Sequence, residues 1–60
     1  MEKIKEHTDG THVYMMLRLD NKDIEEIDVY LCDDGPRYRT TGDGDAARRA
    51  QIISAYQELY

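Results

Sequence analysis

Cysteine is nearly absent from this chain, since Cys32 is the only one among 60 residues. A single cysteine forms no intramolecular disulfide and supplies no cysteine cluster for zinc. Its usage fits a reducing cytoplasm. Long apolar runs are also missing: none approaches the ~20 residues of a membrane span, and the first residues, MEKIKEH, lack the apolar stretch of a secretory signal. We therefore expect a cytoplasmic protein.

Basic residues are scarce relative to acidic ones. The chain has 8 Lys and Arg against 13 Asp and Glu, a formal net charge of −5. This balance argues against nucleic-acid phosphates and anionic membranes as partners. It favours basic surfaces instead, including nucleic-acid-binding grooves on other proteins. Residues 1–36 hold 10 acidic and 4 basic residues, whereas residues 37–60 hold 3 and 4, so the acidity belongs to the first part of the chain.

The length of the chain predicts one small domain over residues 1–60. A domain of this size buries only about 60% of its unfolded surface, so we expect a marginal core and either a partner or self-association. Residues 1–10 are polar and end in Asp-Gly, a turn signal. They are expected to form a ragged lead-in or half of an edge strand.

Alternating apolar residues predict three strands, over residues 11–19, 24–32 and 37–41. Short turns separate them, which favours an antiparallel meander. In the first hairpin, Leu19 is expected opposite Ile27, with Arg18 facing Asp28 or, one step tighter, Glu26. In the second hairpin, Leu31 is expected opposite Tyr38 and Val29 opposite Thr40, which would place Cys32 beside Arg37 and Tyr30 beside Arg39. The side chains expected on the buried face are Val13, Met15, Leu17, Leu19, Ile27, Val29, Leu31, Tyr38 and Thr40.

Residues 46–60, AARRAQIISAYQELY, predict a helix that covers this face. Either Asp43 or Asp45 can cap its first turn. The other end has no capping residue, so the last turn is expected to fray unless it packs. The fold class predicted is α+β, a three-stranded antiparallel meander covered on one face by a C-terminal helix (βββα). The apolar stripe comprises Ile52, Ile53, Tyr56, Leu59 and Tyr60, with Ala46 and Ala50 at its edge.

Catalytic and metal-binding patterns are weak. Cys32 and His12 could meet on the outer sheet face, but nothing supplies the oxyanion hole that nucleophilic catalysis needs. The run Asp33-Asp34 and the run 43–45 are explained as turn and helix cap, and no twelve-residue calcium loop is present. We therefore predict a protein that is not an enzyme and that carries no cofactor and no metal.

The outer sheet face carries Tyr14, Met16, Tyr30 and Cys32 among charged residues. Tyrosine and methionine on a polar surface are typical of contact patches, although a semi-apolar face satisfied by ion pairs is the alternative. Arg49 falls within the apolar stripe of the helix and can extend to solvent or to Asp43.

The run IEEIDVYLCDDG from Ile24, with Tyr38 and the helix segment IISAY, resembles the sheet-and-helix portion of a small phage-encoded anti-CRISPR inhibitor. The resemblance spans Ile24–Tyr56 and implies stoichiometric binding to a large nucleoprotein partner in the host cytoplasm, without catalysis. The βββα arrangement is also similar to plant AP2 and integrase arm-binding domains, which implies a sheet laid in the DNA major groove through Arg18, Arg37 and Arg39. The acidic balance speaks against that mode.

The function predicted is that of a non-enzymatic acidic inhibitor occupying a basic surface of a larger protein or nucleoprotein complex, without direct nucleic-acid or membrane binding. One alternative is a structural or accessory module that homodimerises through the open sheet face, and another is a DNA-binding domain. Arg37, Arg39, Arg48 and Arg49 are secondary candidates for partner binding. The primary candidates are Tyr14, Asp20, Asp23, Glu25, Glu26, Asp28, Tyr30, Asp33 and Asp34.

Overall fold

The structure is a computed structural model that describes residues 1–42 and 44–60. Within these residues, four strands form one antiparallel sheet in the order β1-β2-β3-β4, and a C-terminal helix packs on one face. The α+β class is confirmed, but the predicted number of strands was wrong. No helix in the described part of the chain is long and apolar enough to cross a membrane. The elements are β1 (Glu2–Asp9), β2 (His12–Arg18), β3 (Ile24–Cys32), β4 (Gly35–Thr40) and α1 (Ala46–Leu59).

The additional strand is β1, which occupies the segment expected to be a lead-in. Every residue of β1 is exposed, and the helix packs mainly on β2, β3 and β4. Because neither face of β1 is buried, its sequence has no apolar alternation for the period-two rule to detect. The Asp-Gly turn signal was correct: Asp9 pairs with His12, and Gly10 takes φ 61° in the two-residue turn between them.

The β2–β3 register is tighter than either predicted pairing. Leu17 lies opposite Glu25, and Arg18 lies opposite Ile24 rather than Asp28 or Glu26. The cause is the turn. Leu19 accepts from the Lys22 N–H and donates to the Asp23 carbonyl, both at 2.9 Å, and Lys22 adopts φ 73°. A three-residue turn of this kind takes Leu19 out of the strand and places Glu25 on the buried face.

The β3–β4 register also differs from the prediction by two residues. Val29 pairs with Tyr38, Tyr30 with Arg37, and Cys32 with Gly35, so Cys32 does not lie beside Arg37. Only Asp33 and Asp34 form the turn, and residues 35 and 36 extend the strand that was predicted to begin at residue 37. Gly35 has φ 121°, which a residue with a side chain rarely adopts.

The core lies between the inner sheet face and α1. Its buried members are Val13, Met15, Leu17, Leu19, Ile27, Val29, Ile52, Ala55 and Tyr56, with Tyr38, Ile53 and Leu59 half-buried against them. Leu31 was predicted to belong to this set, but it is 50% exposed. It shares a face with Val29 and lies beyond the cover of the helix.

The helix begins at Ala46, as predicted, and Asp45 is its N-cap: the Arg48 N–H donates to the Asp45 carboxylate at 3.1 Å. The alternative cap, Asp43, lies outside the described residues. At the other end, the helix ends at Leu59, and Tyr60, which was predicted to belong to the apolar stripe, is 65% exposed but contacts Tyr56. Its N–H donates to the Tyr56 carbonyl at 2.9 Å, and the two rings stack with centroids 5.2 Å apart. Ala46 and Ala50 are exposed, and Ala55 fills the buried position that the predicted stripe omitted.

Candidate protein-binding surface

The helix leaves one face of the sheet open, and we call it the outer face. Cross-strand pairing places on it side chains from all four strands. Four are acidic and four are basic, so the outer face as a whole is charge-balanced. Its members are Glu2, Lys5, His7, Asp9, His12, Tyr14, Met16, Arg18, Ile24, Glu26, Asp28, Tyr30, Cys32, Arg37 and Arg39.

Two carboxylates on β3 lie at the centre of the outer face, and each is bound by a donor from β2. The Tyr14 hydroxyl donates to Glu26 Oε2 at 2.5 Å, and His12 Nε2 lies 2.7 Å from Asp28 Oδ1. The His12 ring also stacks on Tyr30, with centroids 4.8 Å apart and 22° between the planes. The Tyr14 hydroxyl is a neutral donor, so its contact brings no cation to Glu26.

The Tyr14–Glu26 contact changes the acidity of the phenol. The hydrogen bond to Glu26 raises the pKa of Tyr14, and burial and the negative charges of Glu26 and Asp28 raise it further. The neutral hydroxyl is therefore the form that the folded chain favours, and it remains a donor at physiological pH. The Tyr14 hydroxyl thus positions the Glu26 side chain.

A shallow hollow of about 410 Å³ opens beside these residues, at the edge formed by β4. Arg39 lies opposite Asp28 in the sheet, yet it forms no ion pair with the described residues. The hollow therefore presents two carboxylates and one unpaired guanidinium to solvent. It is lined by Tyr14, Glu26, Asp28, Arg39, Thr40, Thr41 and Gly42.

Arg48 binds two of the predicted contact residues, Asp23 and Glu25, at a place outside the outer face. Its guanidinium donates through Nε to Glu25 and through Nη2 to Asp23 at 2.9 Å. The hydrogen bond to Glu25, followed by that to Asp23, raises the pKa of Arg48. Glu25 is only 7% exposed and lies on the buried face. We call this group the Arg48 clamp (Asp23, Glu25 and Arg48), because it joins the first turn of α1 to the β2–β3 hairpin.

Two further candidates are engaged within the chain at other places. Asp20 lies at the β2–β3 turn, where its carboxylate is 2.5 Å from the terminal ammonium of Met1. Arg49 donates through Nη2 to the Tyr38 carbonyl at 2.9 Å, on the free edge of β4. The predicted set therefore does not form one surface: Asp20 and Asp23 lie at the β2–β3 turn, far along β3 from Asp33 and Asp34.

The opposite end of β3 is exposed on both faces. Residues 30–37, which we call the hairpin tip, are all exposed apart from half-buried Gly35. Tyr30 is 42% and Leu31 50% exposed, on opposite faces of the strand. Among the residues that the structure describes, Asp33 forms no ion pair, and Asp34 forms a 3.3 Å contact with Arg37 in which both side chains are largely exposed. Such a pair contributes little to stability.

Sequence reasoning missed the exposure of Leu31 and the role of His12 in holding Asp28. The signal for Leu31 was the short Asp33-Asp34 turn, because it fixes a register in which Leu31 faces Pro36 rather than Tyr38. Cys32 is exposed, and His12 contacts Asp28 and Tyr30. Comparisons of the chain with protein-family models, curated proteins and solved structures found no significant match.

Proposed function

We propose that this chain is a non-enzymatic binding protein whose hairpin tip docks on a basic, nucleic-acid-binding surface of a larger protein. The observation that carries the proposal is the exposure of Leu31 and Tyr30 directly beside Asp33 and Asp34. Apolar anchors next to uncompensated charge are typical of protein contact sites, where the anchors supply affinity and the charges supply orientation and association rate.

The pattern of ion pairs supports the hairpin tip rather than the other acidic turn. Asp23 and Glu25 share the single positive charge of Arg48, and the largely exposed Asp20 lies against the ammonium group of Met1. In contrast, Glu26 accepts from the neutral Tyr14 hydroxyl, Asp28 contacts His12, and both continue a line of acidic residues along β3 towards Asp33. A basic groove would meet this line of carboxylates along β3, with Arg37 and Arg39 on the neighbouring strand β4.

A protein of this kind acts by occupying its partner one to one, as the resemblance to anti-CRISPR inhibitors implies. Its place of action would be the cytoplasm, where such nucleoprotein complexes work. Duplex DNA is a poorer fit as the ligand, because the arginines of the outer face share it with four carboxylates, and phosphate contacts supply much of DNA-binding affinity. We expect no gel shift on bulk duplex, even at low salt.

The test is capture on the immobilised chain from a nuclease-treated lysate, followed by elution with duplex DNA. We expect the retained protein to be a basic, nucleic-acid-binding one that competing DNA releases, because both ligands occupy the same groove. Asp33→Lys should reduce capture, whereas Asp20→Lys, an equal charge change at the other acidic turn, should not. Retention that DNA does not affect, or the recovery of no such protein, would reject the proposal.

A second candidate is a structural module that homodimerises through the outer face. The observation favouring it is the adjacent placement of Asp28 with Arg39 and of Tyr30 with Arg37, which sets an acidic strand beside a basic one. Two copies facing each other, related by a two-fold axis that lies between the faces and runs along the strands, could bring β3 of each against β4 of the other. In sedimentation, such a dimer should dissociate on Arg39→Glu substitution.

A further inference from the structure

The two edges of the sheet differ in how they are protected. Two backbone hydrogen bonds at the ends of β2 set its hydrogen-bonding pattern. The Leu31 N–H donates to the Thr11 carbonyl at 2.8 Å, and the Leu19 N–H donates to the Asp23 carbonyl at 2.9 Å. Odd-numbered residues of β2 therefore hydrogen-bond to β3, and even-numbered ones to β1. The same alternation applies through the β1–β2 and β3–β4 registers. It therefore determines which backbone groups of β1 and β4 point away from the sheet.

The β4 edge is blocked. Its outward-pointing backbone groups belong to Pro36, Tyr38 and Thr40. Pro36 has no N–H to donate, and the Tyr38 carbonyl already accepts from Arg49 at 2.9 Å. Proline and a covering side chain are devices by which natural sheets prevent the addition of another strand.

The β1 edge, in contrast, is open over a short stretch. The outward-pointing N–H and C=O groups are those of Glu6 and Thr8, and the irregularity between Lys3 and Lys5 ends the regular ladder. The helix packs mainly on the other three strands. An edge that is open over only these residues accepts one short partner strand and fixes its register.

We infer that the partner strand is β1 of a second copy of this chain, paired antiparallel about His7. In this register Glu6 and Thr8 of each copy exchange backbone hydrogen bonds, and Lys5 lies opposite Asp9 of the other copy. Lys5 and Asp9 form no ion pair with any residue in the described ranges 1–42 and 44–60 of their own chain. They lie two residues on either side of His7, so the two-fold axis pairs both lysines with both aspartates.

Neighbouring registers are less favourable. Moving the axis to residue 6 places Glu6 opposite Glu6 of the other copy, and like charges directly opposite each other are destabilising. Moving the axis to residue 8 places Lys5 opposite the turn residue Thr11 of the other copy instead of opposite Asp9. The blocked β4 edge means that the assembly stops at two copies and an eight-stranded sheet, because no second open edge is available for further growth.

The test is sedimentation of the whole chain from micromolar to near-millimolar concentration. We expect the average mass to rise from one copy towards two. Thr8→Pro removes an outward N–H without breaking the β1–β2 ladder and should keep the chain monomeric, whereas Thr8→Val keeps the N–H and should dimerise as the unmodified chain does. Circular dichroism checks that Thr8→Pro folds.

Charge exchange tests the register without relying on the proline variant. Lys5→Asp faces Asp9 of the other copy and should weaken the dimer about tenfold. Lys5→Asp combined with Asp9→Lys restores the pairing and should recover the dimer. The inference fails if the chain stays monomeric throughout, if folded Thr8→Pro dimerises normally, or if the double variant is no better than Lys5→Asp alone. Dimerisation that only Arg39→Glu abolishes would assign the contact to the outer face instead.

Discussion

Leu31 and Ile27 point to the same side of β3, but only Ile27 is buried. Ile27→Ala should lower the free energy of unfolding by about 2–5 kcal/mol, because a core cavity remains. Leu31→Ala should change it by less than about 0.5 kcal/mol. Urea denaturation measures both values. A large stability loss for Leu31→Ala would show that Leu31 belongs to the core, and would remove the apolar anchor from the proposed contact.

The Tyr14 hydroxyl on the outer face makes the stability of the fold depend on pH in the alkaline range. The Glu26 hydrogen bond raises the pKa of Tyr14 in the folded chain above its ordinary value. Its stabilisation is therefore complete below the unfolded pKa of about 10 and is lost as the pH rises through the folded value. Tyr14→Phe should lower the free energy of unfolding by about 0.5–1.5 kcal/mol near neutrality. Above about pH 10 the difference between Tyr14→Phe and the unmodified chain should be smaller, because the unmodified chain itself loses this stabilisation there.

Denaturant titrations of the unmodified chain and Tyr14→Phe on both sides of that range measure the effect. The reference variant is Tyr56→Phe. Burial is the largest cause that raises the pKa of Tyr56. Removing the Tyr56 hydroxyl therefore tests the loss of stability at alkaline pH at a site without a hydrogen bond to Glu26. Parallel stability curves for Tyr14→Phe and the unmodified chain would contradict the assignment.

At the residue scale, alternation along β2 and β3 was sufficient to identify most of the core, because every inward position except Glu25 is apolar. It did not distinguish Ile27 from Leu31, since that difference depends on how far the helix reaches over the sheet. The buried carboxylate of Glu25 was likewise invisible in the sequence, because its partner Arg48 lies 23 residues away in the chain.

Among the elements, α1 is held to the sheet by charge as well as by its apolar stripe. The Arg48 clamp joins the helix to β3 and to the β2–β3 turn. Arg48→Met should destabilise the fold, because it leaves Glu25 buried without its cation. Combining it with Glu25→Leu should recover most of the loss, since an apolar pair of similar size needs no cation.

Thermal unfolding ranks these variants. We expect the melting temperature to fall most for Arg48→Met, less for the double variant, and least for Arg39→Met, whose guanidinium has no ion pair. Equal melting temperatures for Arg48→Met and Arg39→Met would mean that the clamp contributes nothing to the attachment of the helix.

Element prediction succeeded where one side of the element is buried and failed where none is. The start of α1 at Ala46 and the bounds of β3 were predicted correctly, because periodicity and turn residues coincide there. β1 was missed as a full strand because all of its residues are exposed. Both hairpin registers were wrong because they depend on turn geometry, at Lys22 and Gly35, rather than on apolar pattern.

For the whole molecule, the sequence assigns the acidity behind the net charge of −5 to the first part of the chain, residues 1–36. The fold distributes that charge further: the outer face is balanced, the β2–β3 turn is partly compensated by Arg48 and the Met1 ammonium, and the hairpin tip combines the exposed carboxylates of Asp33 and Asp34 with Arg37 and exposed apolar side chains. The predicted contact residues thus separate into groups with different roles. We propose binding through the hairpin tip on the basis of this distribution, which composition could not reveal.

The most direct test of the proposed function measures the affinity of the captured partner for Asp33→Lys/Asp34→Lys across a salt series. We predict at least about tenfold weaker binding for this variant, and a smaller salt dependence than that of the unmodified chain, because fewer attractive charges remain. Asp20→Lys should bind as the unmodified chain does. Unchanged affinity for Asp33→Lys/Asp34→Lys, or equal weakening by Asp20→Lys, would contradict binding through the hairpin tip.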